Sequence, residues 1–485
     1  MPVINLTIRR VVSTVALFAL AFGAVSALAA QTPTARPALS ESVRQFVAVE
    51  APVVALTNVR VVDGTGAAPA DDQTIILRDG RIAELGPSAS VRVPEGARVL
   101  ELRGHTVIPG LVGMHNHTFY TTSARQAQIS ITAPRLYLAS GVTTIRTTGS
   151  YHPYSEVNLK RAIETGAAVG PRMHITGPYI TGPSGGYMTG VATAEDARRV
   201  VGYWADEGAT WFKAYTTISR EALKAAIDEA HRRGLKFTGH LCSVSFREAV
   251  ALGIDNLEHG LFTNSDYDAA KEADRCPSNL RRSLLEVSLD GPDVQATFRE
   301  MIDRGVAMTS TLAVYELSVP GRPPLEQRVL DALAPEVLAE YLATRQAIAR
   351  NAATSTTAEV FRKAQAFERA FVRAGGLLAA GVDPTGNGGA LPGYGDQRNY
   401  ELLIEAGFSP VEAVRIMTLN GAKVLGVDRE LGTVERGKLA DLVVIRGDPV
   451  LTPAEIRGVT LVFKDGIGFD SAKLIESVRG QVGVR

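Results

Sequence analysis

Val107-Ile108-Pro109-Gly110-Leu111-Val112-Gly113-Met114-His115-Asn116-His117 is the stretch on which the fold turns. An apolar run ends in two histidines one residue apart. Alternate residues of an extended chain share a face, so the imidazoles of His115 and His117 point the same way and can reach one ion.

The stretch opens a series. Over residues 109–428, apolar strand-like runs alternate with amphipathic helical stretches such as 220–233 and 359–374, the pattern of βαβ units around a parallel sheet. Eight units can be read, with strands expected to end near His115, Arg146, Thr176, Lys213, His240, Glu258, Thr311 and Asp383. Eight units predict an α/β fold of the (β/α)8 TIM-type barrel kind. An open doubly wound sheet is disfavoured, because no Gly-x-Gly-x-x-Gly turn opens a helix after the first strand. On either side, 53–108 and 429–485 carry short β-type runs and turns, among them the hairpin signal Asp79-Gly80. The two ends are expected to build one small β-sandwich domain, with a tail after it.

The 485 residues balance 51 Lys and Arg against 51 Asp and Glu, so no electrostatic footprint points to nucleic acid or an anionic membrane. A small-molecule substrate is the expected partner, and self-association into a homo-oligomer is compatible with the sequence. Arg9 and Arg10 precede an apolar run over 11–30 that closes on small residues. Residues 1–30 therefore read as a cleavable signal peptide rather than a retained anchor, and 31–52 as a linker. The expectation is an exported chain, periplasmic or secreted, with no stable membrane insertion after cleavage. Two cysteines, Cys242 and Cys276, cannot make a disulfide framework; the sequence leaves open whether they pair.

The titratable residues cluster at expected strand ends. His115, His117, Lys213, His240, His259 and Asp383 all fall at or just past such ends, the rim on which barrel sites are built. Lys213 lies in the apolar run Thr210-Trp211-Phe212-Lys213-Ala214-Tyr215, where an unpaired ammonium is costly to bury. It needs either a salt bridge or carbamylation by carbon dioxide, which would make it a carboxylate able to bridge two cations. A lone rim histidine is more often a satisfied hydrogen-bonding residue than a ligand, but six ligand types at one rim are hard to explain structurally.

The opening stretch resembles the first-strand signature of the amidohydrolase superfamily, in its imidazolonepropionase-like and prolidase-like dipeptidase branch. Gly141-Val142-Thr143-Thr144-Ile145-Arg146, Asn256-Leu257-Glu258-His259-Gly260, Ala380-Gly381-Val382-Asp383 and Gly432-Thr433-Val434-Glu435-Arg436-Gly437-Lys438-Leu439-Ala440-Asp441-Leu442-Val443 extend the likeness over most of the chain. The resemblance implies two divalent metal ions, zinc by preference: His115, His117 and Asp383 on one, His240 and His259 on the other, and carbamylated Lys213 between them. It also implies hydrolysis of an amide bond, as in a dipeptide or N-acyl amino acid, by water that the metals activate. Asp383 would be the catalytic acid and base.

Cys242 stands where dipeptidase-like relatives carry a tyrosine, and Thr147 where many carry an acid. Tyr215, and Tyr187 in the glycine-rich loop Gly182-Pro183-Ser184-Gly185-Gly186-Tyr187, are the nearest substitutes for the missing hydroxyl. Arg146 is a candidate clamp for a substrate carboxylate, with an internal salt bridge as its plain alternative. Residues 263–291 read as an insertion that shapes a pocket or an interface. Esterase, lactonase and phosphotriesterase chemistry remain alternatives at such a site, as does a non-enzymatic exported binding protein. A deaminase is disfavoured because Ser243 stands where such relatives carry Glu.

Overall fold

The computed structural model describes residues 37–122 and 124–484. The signal-peptide reading of 1–30 lies outside the described residues. Apolar runs become strands at Leu111–Asn116, Val142–Thr147, Trp211–Ala214, Lys236–Gly239, Asn256–Glu258, Ala307–Ser310 and Leu378–Ala380. The third strand differs from expectation. It divides into Arg172–His174 and Thr176–Thr181, so it passes Thr176 and ends at Thr181. The break marks a change of neighbour, because the first piece pairs with Val142–Thr147 and the second with Trp211–Ala214.

Together with the short Thr189–Gly190, these strands form two parallel sheets, one of three strands ending at Leu111–Asn116 and one of seven ending at Leu378–Ala380. The last strand runs on against the first. The Asp383 backbone N–H donates to the His115 carbonyl at 2.7 Å, and a Cβ placed on Gly381 would lie 2.1 Å from the His115 nitrogen. Only glycine permits that approach.

Helices cover the outer face of the strands. Arg220–Arg232 starts at Ser219, whose hydroxyl accepts from the Ala222 N–H, and buries Ala222, Leu223, Ala226, Ile227 and Ala230 along one stripe. Phe246–Leu252 opens with a capping box between Ser245 and Glu248, which ends the loop after His240 in a defined place.

The ends of the chain meet, as expected, in one small β domain, and its nine strands form a single hydrogen-bonded sheet. The joining element is His105–Pro109. It pairs with Val53–Val61 on one side and with Leu442–Arg446 on the other, which leaves no gap between the two halves. Its side chains alternate, Val107 entering a core with Leu56, Ile75, Leu442 and Val444, and Ile108 facing the larger core with Val443 and Ile445. Both faces are thus covered. The hairpin signal is realised between Ala70–Arg78 and Arg81–Pro87, with Asp79 and Gly80 both at positive φ as a type I′ turn requires.

The linker reading of 31–52 is corrected over its described part. Glu41–Arg44 is helical, Val47–Val49 pairs with Ile467–Asp470, and Val43, Phe46 and Val49 are buried. Three apolar side chains spaced by three are enough to dock a segment that reads as irregular in sequence. The C-terminal segment also docks: Ser471 Oγ donates to the Ala139 carbonyl at 2.6 Å. Among the described residues, no helix is long and apolar enough to cross a membrane.

Cys242 and Cys276 form a disulfide, which ties the 263–291 insertion to the loop behind His240. Closing a loop of this size removes chain freedom worth about 2–4 kcal/mol in the open state. Reduction, or Cys276→Ser, is expected to expose residues 264–291 to limited proteolysis while the parallel sheets stay resistant. An unchanged cleavage pattern would mean that packing alone holds the insertion.

Candidate metal centre and cleft

Five strand ends deliver the six side chains singled out by sequence to one place. His115 Nε2 lies 3.6 Å from Asp383 Oδ2, and His117 Nε2 lies 3.3 Å from Asp383 Oδ1. Lys213 Nζ is 3.1 Å from His115 Nε2. The ring of His259 is 4.5 Å from that of His115 and 4.5 Å from that of His240, centroid to centroid. His115, His259 and Asp383 each offer a ligand atom within 4.8 Å of one another.

The backbone is held in unusual conformations at two of these positions. His259 and Asp383 have φ of +67° and +47°, in the left-handed region that costs a side-chain-bearing residue energy. Gly260 follows at φ +55°, and Pro384 follows Asp383. The paired turn at His259 and Gly260 swings the imidazole back over the strand ends instead of continuing outward.

Beneath the donors lies a carboxylate that the sequence reading quoted without assigning it a role. Glu258 accepts at 2.7 Å from His115 Nδ1, and its other oxygen takes Asn256 Nδ2 at 2.9 Å together with Arg146 and Thr238. Donation from Nδ1 leaves the Nε2 lone pair of His115 turned toward Lys213 and Asp383. Thr311 Oγ1 sits 2.7 Å from His259 Nδ1 and fixes that ring. Burial pushes Glu258 up, but Arg146 and His115 outweigh it and hold the carboxyl at about 2.

Arg146 is therefore not a substrate clamp. Its side chain is 0% exposed, its Nε donates to the Met114 carbonyl at 2.9 Å, and its guanidinium lies over the Trp211 ring and pairs with Glu258. A long cation inside a strand-lined core must find a buried anion, and Glu258 is that anion. Tyr187 and Tyr215 do line the cleft above the donors. Tyr187 is 67% exposed with its ring against Tyr151, and the Tyr215 ring lies 4.6 Å from that of His240. Tyr179, not foreseen, is buried with its hydroxyl 3.4 Å from His117 Nε2. It sits on the part of the third strand that the sequence reading cut short. The cleft encloses about 700 Å³.

The donors suit a cation. His259 Nε2 is buried with no hydrogen-bond partner, a costly state in a protein interior unless a ligand takes the lone pair. Burial keeps the imidazoles neutral, pushing His117 down to about 4 and His240 to about 3. Burial alone would raise Asp383, but His115 and the neighbouring imidazoles hold it well below the usual carboxylate range. Neutral imidazole and ionised carboxylate are the forms that bind metal.

A profile of the amidohydrolase family matches residues 106–467. The chain belongs to that family. Curated relatives of this amidohydrolase include the imidazolonepropionase of Symbiobacterium thermophilum, 24% identical over 76% of this chain and 83% of the relative. The dihydroorotase of Pelotomaculum thermopropionicum is 25% identical over 78% and 85%. Among solved structures, a putative prolidase from Bifidobacterium longum superposes with a TM-score of 0.64 at 27% identity, covering 88% of this chain and 98% of that one. A Xaa-Pro dipeptidase crystallised with methionine in its active site gives 0.65 at 20%, over 86% and 100%, a likeness of fold. The family supports hydrolysis of a carbon–nitrogen bond by this amidohydrolase, and the His115, His259 and Asp383 cluster fits its use of metal ions.

The lowered imidazole pKa values set a sign. At pH 5.5 an ordinary imidazole is about 90% protonated, whereas His117 and His240 stay neutral until the pH falls to about 4 and about 3. Nitrogen-15 spectra of histidine-labelled, metal-free protein are expected to show these two rings neutral at pH 5.5. Rings that take up protons above pH 6 would contradict the buried geometry.

Proposed function

We propose that this amidohydrolase is a binuclear metal-dependent enzyme that cleaves the amide bond of a small substrate such as a dipeptide or an N-acyl amino acid. The observation that carries the reading is the convergence of six donor side chains at one mouth, with His259 Nε2 left unpaired among them.

His115, His117 and Asp383 would hold one ion and His240 and His259 the other, with Lys213 between them in carbamylated form. Zinc suits the imidazole and carboxylate donors. Burial lowers Lys213 to about 8, so the neutral amine that reacts with carbon dioxide is within reach near neutral pH. When bound, the ions would supply Lewis acidity toward the scissile carbonyl and water acidified to a pKa of about 7.

The chain's own groups do the rest. Asp383 takes a proton at a carboxylate oxygen and returns it to the leaving nitrogen, a carboxylate held ionised and fixed by Thr385 Oγ1 at 3.0 Å. Glu258 holds His115 in the tautomer that donates from Nδ1, and Thr311 orients the His259 ring. Tyr179 presents its hydroxyl beside His117 and Tyr215 lays its ring against His240, the two candidates to replace the tyrosine for which Cys242 stands. Tyr187 borders the entrance.

Two coarser readings accompany this one. The Asp383 to His115 backbone bond supports closure of the strands into a (β/α)8 barrel. The Cys242–Cys276 disulfide supports export to an oxidising compartment, in keeping with a signal peptide over 1–30.

Purified under metal-replete conditions, the protein is expected to carry about two ions per chain and to lose turnover on chelation. Asp383→Asn is expected to cut kcat by about 10²–10⁴-fold with an unchanged circular dichroism spectrum. A screen of dipeptides, N-acyl amino acids, aryl amides and lactones reads the bond type. No bound metal, or near-native turnover in the Asp383→Asn variant, would overturn this account.

A further inference from the structure

The cleft does not end at the metal centre. The Tyr315 ring lies 5.5 Å from that of His259 and stacks on Phe262 at 3.7 Å, the two planes nearly parallel. Behind this pair opens a side pocket of about 230 Å³, bounded by Phe262, Leu280, Leu284, Tyr315 and Val360, with Arg281 at its seam with the main cleft. At about 30 Å³ per water, it has room for roughly eight waters, enough for one branched or aromatic side chain.

Its chemistry is one-sided. Its two aliphatic hydroxyls already donate within the protein, Thr357 Oγ1 to the Ser318 carbonyl at 2.8 Å and Ser318 Oγ to the Tyr315 carbonyl at 2.9 Å. No acidic residue lines it. A cationic side chain would lose its water there without gaining an anionic partner.

Arg281 is placed differently from the other cations of the cleft. Arg125 is held by Glu340 through a bidentate pair, and Lys213 lies at His115. Arg281 has no ion-pair partner among the described residues, and its guanidinium is close enough to Tyr315 to act on the phenol electrostatically. A free guanidinium at the edge of an apolar pocket matches a carboxylate and an apolar side chain borne on one carbon.

We propose that Arg281 and this side pocket form the subsite for an apolar amino acid with a free carboxylate. The carboxylate pairs with Arg281, the side chain enters the pocket, and the acylated nitrogen is left facing the metal centre. The substrate class is then N-acyl or peptidyl conjugates of leucine-like or phenylalanine-like residues, with that residue as the leaving amine. This rests on the amide-hydrolase reading above. It also gives the insertion a task, since the helix that carries Leu280, Arg281 and Leu284 begins four residues after the disulfide-bonded Cys276.

The test uses the full, metal-loaded chain with N-acetyl-leucine, N-acetyl-phenylalanine, N-acetyl-lysine and N-acetyl-leucine amide. Wild type is expected to prefer the first two by kcat/KM. Arg281→Ala is expected to lose about 10- to 100-fold in kcat/KM on them, the worth of a charged hydrogen bond, carried by KM, and to change little on the amide. Arg281→Lys should recover part of the loss. Leu280→Trp, which fills the pocket, should shift preference toward N-acetyl-alanine. Equal losses on acid and amide, or a wild-type preference for lysine, would overturn the proposal. If none of these compounds is cleaved, the hydrolase reading fails separately. Calorimetric binding of N-acetyl-leucine, weakened in Arg281→Ala while the amide binds equally to both proteins, then supports the subsite, and binding indifferent to Arg281 overturns it.

Discussion

Three buried ionisable groups underlie the site: the Arg146 guanidinium, the Glu258 carboxylate and the amine of Lys213. Each alone would cost several kcal/mol to bury. Arg146 and Glu258 cancel one another, and Glu258 spends its second oxygen on His115. The imidazole that meets Lys213 and Asp383 is thus oriented by a carboxylate anchored on the opposite side by an arginine. The network ties the second, fifth and sixth strands to the first, so the position of His115 depends on four strands at once.

Above this floor the balance reverses. Burial leaves His259 Nε2 without a partner, and both His259 and Asp383 sit in left-handed backbone. A fold maximising its own stability would relax these features. Concentrated among six donors, they read as a state completed by a ligand, with the strain carried by the surrounding sheets. The apolar side pocket behind Tyr315 adds a second, chemically distinct surface at the same mouth.

Much of this was legible in the sequence for a specific reason. Strands buried on both faces are apolar, so a titratable residue at the end of such a run stands out, as His115, Lys213, His240 and Asp383 each do. Glu258 precedes His259 in plain sight, but nothing in a linear reading says which of the two points inward to Arg146. Arg146 itself was ambiguous for the same reason, since a buried pair needs both partners located. The third strand was cut short at Thr176 because Gly177 and Pro178 carry a turn signature, and Tyr179 was lost with it. The docked segment at 43–49 depends on a strand more than four hundred residues later, and the pairing of Cys242 with Cys276 on how the fold brings two loops 34 residues apart together. Arg281 gave no signal, because its meaning comes from the partners it lacks.

The nine-stranded sheet sets an order of events during synthesis. Its edge joins Val47 to Phe469, and the strand that leads into His115 is flanked by Leu442–Arg446. Until a ribosome has released that late segment, the 105–109 ribbon stays open along one side, and Gly110 lacks its acceptor on Asp441. The nascent polypeptide must hold an unfinished sheet through several hundred codons, a long interval in which a chaperone or a trafficking factor could engage it.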